Sequence, residues 1–171
     1  MKRMYISSLR IMVLNLFSCK NTVAIKPSTK TNDNEDFYNL SFTAIDGNEF
    51  AFKQLKGKKV VIVNTASKCG LVGQLKELQE FYMAYKDSNL QLIAFPSSDF
   101  FNQEPGTNEQ IQAFCTKNYG VTFPIMEISH VRGKEQNIVY KYLTSKNNNN
   151  LGKDIRIEWN YQKFLIDEHG N

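Results

Sequence analysis

Three cysteines, one tryptophan and two histidines carry the sharpest chemistry available to this chain. Cys69 lies in "VNTASKCGLVGQLKELQEFYMAYK", between the apolar run Val60 to Val63 and a stretch where Leu71, Leu75, Leu78, Tyr82 and Tyr85 recur at helical spacing. A thiol placed after a buried strand and before a helix meets free backbone N–H groups and the positive end of the helix dipole. Both favour an anion, and the thiolate is the reactive form of cysteine. Lys68 adds a cation next door. The competing reading is a small buried hydrophobe, the common fate of a free cysteine, and position alone leaves the two open. Cys115 shares an apolar helix face with Ile111 and Phe114, which by geometry reads as a core cysteine. No CxxC is present, and His130 and His169 read as solvated residues, so no metal and no cofactor are expected.

The elements that must position these residues follow from periodicity. "FYNLSFTAIDGNEFAF" alternates around Asp46-Gly47 and predicts a β-hairpin. "KVVIVNTA" and "LQLIAFP" are continuous apolar, β-branched runs of the kind buried on both faces of a sheet. "SSDFFNQEPG" reads as a loop, and the word "QEPG" as a turn before a helix. Thr107 with Gln110 forms a capping-box signature for the helix "NEQIQAFCTKNY", which Gly120 stops. "TFPIMEIS" and "KFLIDE" are further strand candidates, "QNIVYKYLTSK" a further helix, and "KNNNNLGK" a polar surface loop. Strands alternating with helices predict an α/β fold with a mixed sheet flanked by helices.

At 171 residues with 42% hydrophobic content, the chain suits one compact domain. The net charge of +4 is concentrated at the start: removing Lys2, Arg3 and Arg10 leaves 18 basic against 17 acidic groups. That balance lacks the basic footprint of a nucleic-acid-binding protein. Residues 1–18 read as a signal peptide, with a basic start and an apolar stretch too short to span a bilayer, which takes about 20 residues. "LFSC" resembles a bacterial lipoprotein box, which implies lipid on Cys19, a membrane anchor and a place in the bacterial cell envelope facing the periplasm. A soluble N-terminal helix or a stray tag, with a cytoplasmic protein, is the alternative. Residues 19–35 are polar and read as a linker, leaving 36–171 as the domain.

Three stretches change the odds for the cysteines. "FYNLSFTAIDGNEFAFKQLKGKKVVIVNTASKCGLVGQLKELQEFY", "FPSSDFFNQEPGTNEQIQAFCTKNYGVTFPIM" and "WNYQKFLIDEHG", in that order from about Phe37 to Gly170, resemble the cysteine-type glutathione peroxidase family. The resemblance implies a thioredoxin-like fold and a peroxidatic Cys69 that attacks a hydroperoxide and becomes a sulfenic acid. It implies that Trp159 and Asn160 line the same site as hydrogen-bond donors. "FCTKNYGVTFPIM" resembles the segment carrying the resolving thiol of thioredoxin-using members, which gives Cys115 that role and a thioredoxin-like partner as reductant. Because Cys115 sits in a helix, a Cys69–Cys115 disulfide requires local unwinding to bring the Cα atoms within about 7 Å. The short segment from Cys115 to Phe123 lacks the longer loop of tetrameric members and implies a monomer.

Two departures qualify the resemblance. Asp99 stands where the family carries a catalytic glutamine, and an ionised carboxylate only accepts hydrogen bonds. Asp99 is then held protonated, accepts a proton, or points elsewhere. Relatives also continue past "DEHG" with a strand and a helix, so a C-terminally truncated fold is expected. The first function hypothesis is a thiol peroxidase acting on hydrogen peroxide and organic hydroperoxides. The second is a redox sensor or binding module that keeps the fold without turnover; a dithiol oxidoreductase is weakened by the missing CxxC.

Overall fold

The computed structural model describes residues 36–171. The signal peptide, the linker and the lipid site at Cys19 lie outside the described residues. The chain begins with a 3-10 turn, Phe37–Asn39, and the predicted hairpin of β1 (Ser41–Thr43) and β2 (Glu49–Ala51), antiparallel with Phe42 opposite Phe50. Gly47 takes φ +86° at its tip, a conformation open to glycine, and Asp46 accepts hydrogen bonds from the backbone and side chain of Asn48. After a second 3-10 turn, Phe52–Leu55, the chain enters β3 (Lys59–Thr65), then α1 (Gln74–Tyr85), β4 (Leu90–Pro96), α2 (Asn108–Tyr119), α3 (Ile138–Thr144) and β5 (Lys163–Ile166).

β3 is the central strand. It pairs in parallel with β4 and antiparallel with β5, with Ile62 between Ile93 and Phe164. Successive side chains of a strand point to opposite faces, so a strand that is apolar without alternation needs cover on both. Val60 and Ile62 pack into a cluster with Phe37, Phe52, Tyr140 and Phe164. Val61 and Val63 face a second cluster that contains Leu75 and Leu78 of α1, Ile111 and Cys115 of α2, and Cys69. The sheet therefore separates α3 and the hairpin-side turns from α1 and α2. This is the α/β thioredoxin-like arrangement, a mixed sheet between helices.

The Thr107–Gln110 capping box is present in both directions, and Gly120 closes α2 in the left-handed conformation at φ +63°. Two expectations need correction. "TFPIMEIS" forms isolated bridges rather than a strand: Ile125 pairs with Ala94 and Met126 with Ala44, joining β4 to the hairpin. Pro124 has no N–H for a ladder, and its carbonyl instead accepts from Ala94 N at 3.0 Å. The helix after Cys69 starts at Gln74, so Leu71 precedes it and Phe81 joins the buried face with Leu75 and Leu78. Between Cys69 and α1 the chain runs through consecutive three-residue turns, beginning with Val72 N to Cys69 O at 3.0 Å.

Candidate active site

Asn64, wholly buried, interrupts the apolar run of β3 near its end and carries the ladder beyond the last paired residues. Its carbonyl accepts from Tyr161 N at 2.7 Å, and its Oδ1 accepts from Gln162 N at 3.1 Å. Its Nδ2 donates to Trp159 O at 3.0 Å. One side-chain amide thus sets the bend Trp159 to Gln162, in which Tyr161 adopts φ +65°. Sequence reasoning passed over Asn64; the signal was a polar amide inside an otherwise apolar strand.

The loop after β4 is tied to the Cys69 turn from the other side. Ser67 donates to the Glu104 carboxylate twice, from its backbone N at 2.9 Å and its hydroxyl at 2.6 Å. Lys68 N donates to Gln103 O at 2.9 Å, and the Gln103 side chain accepts from Asn160 Nδ2 at 2.8 Å. Glu104 is buried, which pushes its carboxyl up from the ordinary value while the Ser67 bonds pull it back. Asn160 Oδ1 is buried with no hydrogen-bond partner. Gln103 and Glu104 were legible only as a turn word; their service to Ser67, Lys68 and Asn160 depends on contacts across 37 and 57 residues.

Cys69 and Cys115 are both free and buried, in the same apolar cluster, with Tyr161. Leu71 N donates to Cys69 Sγ at 3.5 Å. Cys115 lies in the last turn of α2, where its carbonyl accepts from Val121 N at 3.3 Å. Burial, with the charge of Glu104 adding to it, pushes the Cys115 thiol up to about 12. The Tyr161 hydroxyl donates to Ala66 O at 3.0 Å and is itself pushed up, chiefly by burial and further by Cys115, Cys69 and Glu104. A cavity of about 370 Å³ opens between the Ser67–Lys68 turn and α2, with Glu104, Ile111 and Phe114 in its lining. Its walls include the two residues before Cys69 and the side of α2 that carries Ile111 and Phe114.

Asp99 does not join this group. Its Oδ1 meets His130 Nδ1 at 2.6 Å, and its Oδ2 accepts from Val131 N at 2.7 Å and Arg132 N at 3.1 Å. Of the three options for Asp99, the structure takes the one in which it points elsewhere: it clamps the 130–132 loop. His130, expected to be merely solvated, is the clamp's second half, with Nε2 3.2 Å from Glu135. Trp159 is half-exposed and packs on Phe100 and Phe101, at centroid distances of 5.4 and 5.6 Å. Among the described residues no three His, Cys, Asp or Glu side chains gather as a metal site.

Two outcomes follow from this geometry. Asn64→Leu keeps the volume but strands Gln162 N–H and Trp159 C=O in the interior, so it should destabilise the fold by roughly 2–4 kcal/mol. It should also shift the emission of Trp159, the sole tryptophan; an unchanged denaturation midpoint and spectrum would remove Asn64 from its anchoring role. The second outcome concerns pH. The Asp99 hydrogen bond holds the His130 imidazolium above its ordinary value, with Glu135 adding to the effect and slight burial opposing it. A raised folded-state value means the stabilisation is complete below the unfolded value of about 6.5 and is lost as pH rises through the folded one. Thermal midpoints should therefore fall from pH 6 to pH 8 more steeply in the wild type than in His130→Gln; parallel slopes would show that the clamp contributes no proton-linked stability.

Residues 37–144 match the sequence model of the family described as glutathione peroxidase. The chain is 49% identical over 137 residues to the glutathione peroxidase-like peroxiredoxin GPX5 of Chlamydomonas reinhardtii, covering 80% of this chain and 83% of that protein. It is 47% identical over 134 residues to the glutathione peroxidase homolog BsaA of Halalkalibacterium halodurans, covering 78% and 84%. Among solved structures, Trgpx in its apo form superposes with a TM-score of 0.62 at 33% identity, over 81% of this chain and 82% of that one. A secreted disulfide oxidoreductase of Mycobacterium tuberculosis, 12% identical with a TM-score of 0.53 over 79% and 81% of the two chains, shares the fold alone. The family model covers the hairpin, the central strand, the Cys69 turn and the loop after β4 that closes on it, and the chain belongs to the glutathione peroxidase family.

Proposed function

We propose that this protein is a thiol peroxidase that reduces hydrogen peroxide and organic hydroperoxides through Cys69, resolves the product through Cys115, and is recycled by a thioredoxin-like dithiol protein. The observation that carries the reading is the placement of two free thiols in one apolar cluster around Tyr161, in a chain whose relatives are named glutathione peroxidase-like peroxiredoxins. The Cys69 thiolate attacks the terminal oxygen of the hydroperoxide. An S–O bond forms, the O–O bond breaks and sulfur gives up two electrons; the departing alkoxide or hydroxide takes a proton and leaves as alcohol or water. The Leu71 N–H donates a hydrogen bond to that sulfur. Asn160 spends one amide hydrogen on Gln103 and keeps the other for the sulfur or the departing oxygen, with the Trp159 indole N–H as a second donor.

In the second step the Cys115 sulfur attacks the sulfenic sulfur. The S–S bond forms, the S–O bond breaks, and the hydroxide released combines with the Cys115 proton as water. At a value of about 12 the buried Cys115 is overwhelmingly a thiol at neutral pH, so it is inert until the end of α2 opens. Opening exposes the sulfur, lowers the cost of its thiolate and frees it to move. The reductant then exchanges through a mixed disulfide, restores both thiols and departs with its own disulfide.

Cys69→Ser should abolish turnover with little change in fold. Cys115→Ser should consume one equivalent of peroxide and then stop when thioredoxin is the donor, and the oxidised wild type should give a Cys69–Cys115 peptide on mapping. Normal thioredoxin-driven turnover by Cys115→Ser would make this a one-cysteine enzyme.

The same proposal includes an acyl anchor on Cys19, a cell-envelope location facing the periplasm and a monomeric state. Its support is the "LFSC" stretch behind a basic start and the short segment from Cys115 to Phe123. Mass spectrometry of the mature N-terminus in a bacterial host should find Cys19 acylated; recovery of Met1 unmodified would return the chain to the cytoplasm.

A further inference from the structure

We infer that Phe101 is a specificity-determining residue, an apolar platform on the loop that is hydrogen-bonded to the Cys69 turn, which favours organic hydroperoxides over hydrogen peroxide. The inference rests on the peroxidase reading above and names the substrate class that its site selects. Phe101 is 83% exposed, the most exposed of the large apolar side chains among the described residues. A single exposed apolar residue ordinarily needs no explanation. This one sits at φ +54°, followed by Asn102 at φ +51°. Asparagine enters the left-handed region readily, whereas a bulky side chain there is strained.

The turn closes through Asn102 N to Ser98 O at 3.1 Å and Gln103 N to Phe100 O at 3.2 Å, bonds that glycine at 101 would permit without strain. The Phe101 ring fills no core. Its recorded aromatic partner is Trp159, met edge-on at 5.6 Å and 62°. Trp159 leans in turn on Phe100, which is buried and carries the Arg132 guanidinium 4.3 Å from its ring centroid. Three rings thus run from the core to solvent.

The loop that carries Phe101 is tied to the candidate site. Gln103, two residues after Phe101, accepts from Lys68 N beside Cys69 and from the side chain of Asn160 beside Trp159. Hydrogen peroxide has no apolar surface to lay against such a row. An alkyl or aryl hydroperoxide has one, and covering it against the Phe101 and Trp159 rings adds binding that the small substrate lacks. The ring therefore acts on the difference between substrates.

The test compares full-length wild type with Phe101→Gly, which suits the positive φ, and Phe101→Ala. Under saturating thioredoxin, the ratio of kcat/KM for cumene hydroperoxide to kcat/KM for hydrogen peroxide should fall roughly tenfold in both variants. Titration with cumyl alcohol, followed by the fluorescence of the sole tryptophan Trp159, should weaken by a similar factor. An unchanged ratio, or a change confined to the KM for thioredoxin, would overturn the proposal and in the second case give the surface to the reductant. If the wild type reduced neither peroxide, the peroxidase reading would fail, whereas the alcohol titration would still decide whether Phe101 forms a binding platform.

Discussion

The site depends on one buried amide. β3 runs through the centre of the sheet with both faces covered, so the polar groups at its end have no water to turn to, and each must find a partner inside the protein. Asn64 supplies them: its side chain accepts from Gln162 and donates to Trp159, while its carbonyl takes Tyr161. The segment that brings Trp159 and Asn160 to the Cys69 turn is thereby held as an extension of the central strand. Its left-handed residue, Tyr161, is tolerated because its ring is buried and its hydroxyl bonds to Ala66. Strand and site are a single hydrogen-bonded unit.

Burial on the other face serves a different end. Cys115 packs where a small apolar side chain would pack, and the same desolvation that suits it to a core raises its thiol. The end of α2 is also where helical hydrogen bonding gives way to the Gly120 turn, so fewer bonds have to break there than in the middle of the helix. The resolving role proposed for this residue therefore requires the last turn to open. Glu104 links that region to the Cys69 turn through Ser67, so the carboxylate that raises Cys115 is also the one that shapes the loop carrying Cys69.

The loop after β4 divides its polar side chains between two neighbours. The Asp99 carboxylate finds two backbone N–H groups and the His130 imidazole, hydrogen-bond partners suited to an anion. The amide that touches Asn160 is that of Gln103, four residues on. Between them the chain makes its left-handed turn and sets Phe101 against Trp159.

Much of the fold was legible because it depends on local pattern. The runs "KVVIVNTA" and "LQLIAFP", the Asp46-Gly47 hairpin and the Thr107–Gln110 box encode their own geometry, and the structure places β3, β4, the hairpin and α2 on those residues. "TFPIMEIS" misled because Pro124 blocks a ladder that its apolar neighbours invite. Cys69, Cys115, Trp159 and Asn160 could be picked out by residue type and by family likeness. What holds them could not: Asn64, Gln103 and Glu104 act across 37 to 98 residues of chain, and hydrogen bonds at that separation leave no period in the sequence. The direction of Asp99 was likewise beyond reach, since the His130 loop that captures it arrives 31 residues later. The sequence by itself determined which residues could react and which segments would be strands and helices, because side-chain chemistry and hydrophobic period are local properties. Only the tertiary structure decided which polar groups meet and that burial raises the Cys115 thiol, because partnership and desolvation belong to the packed chain.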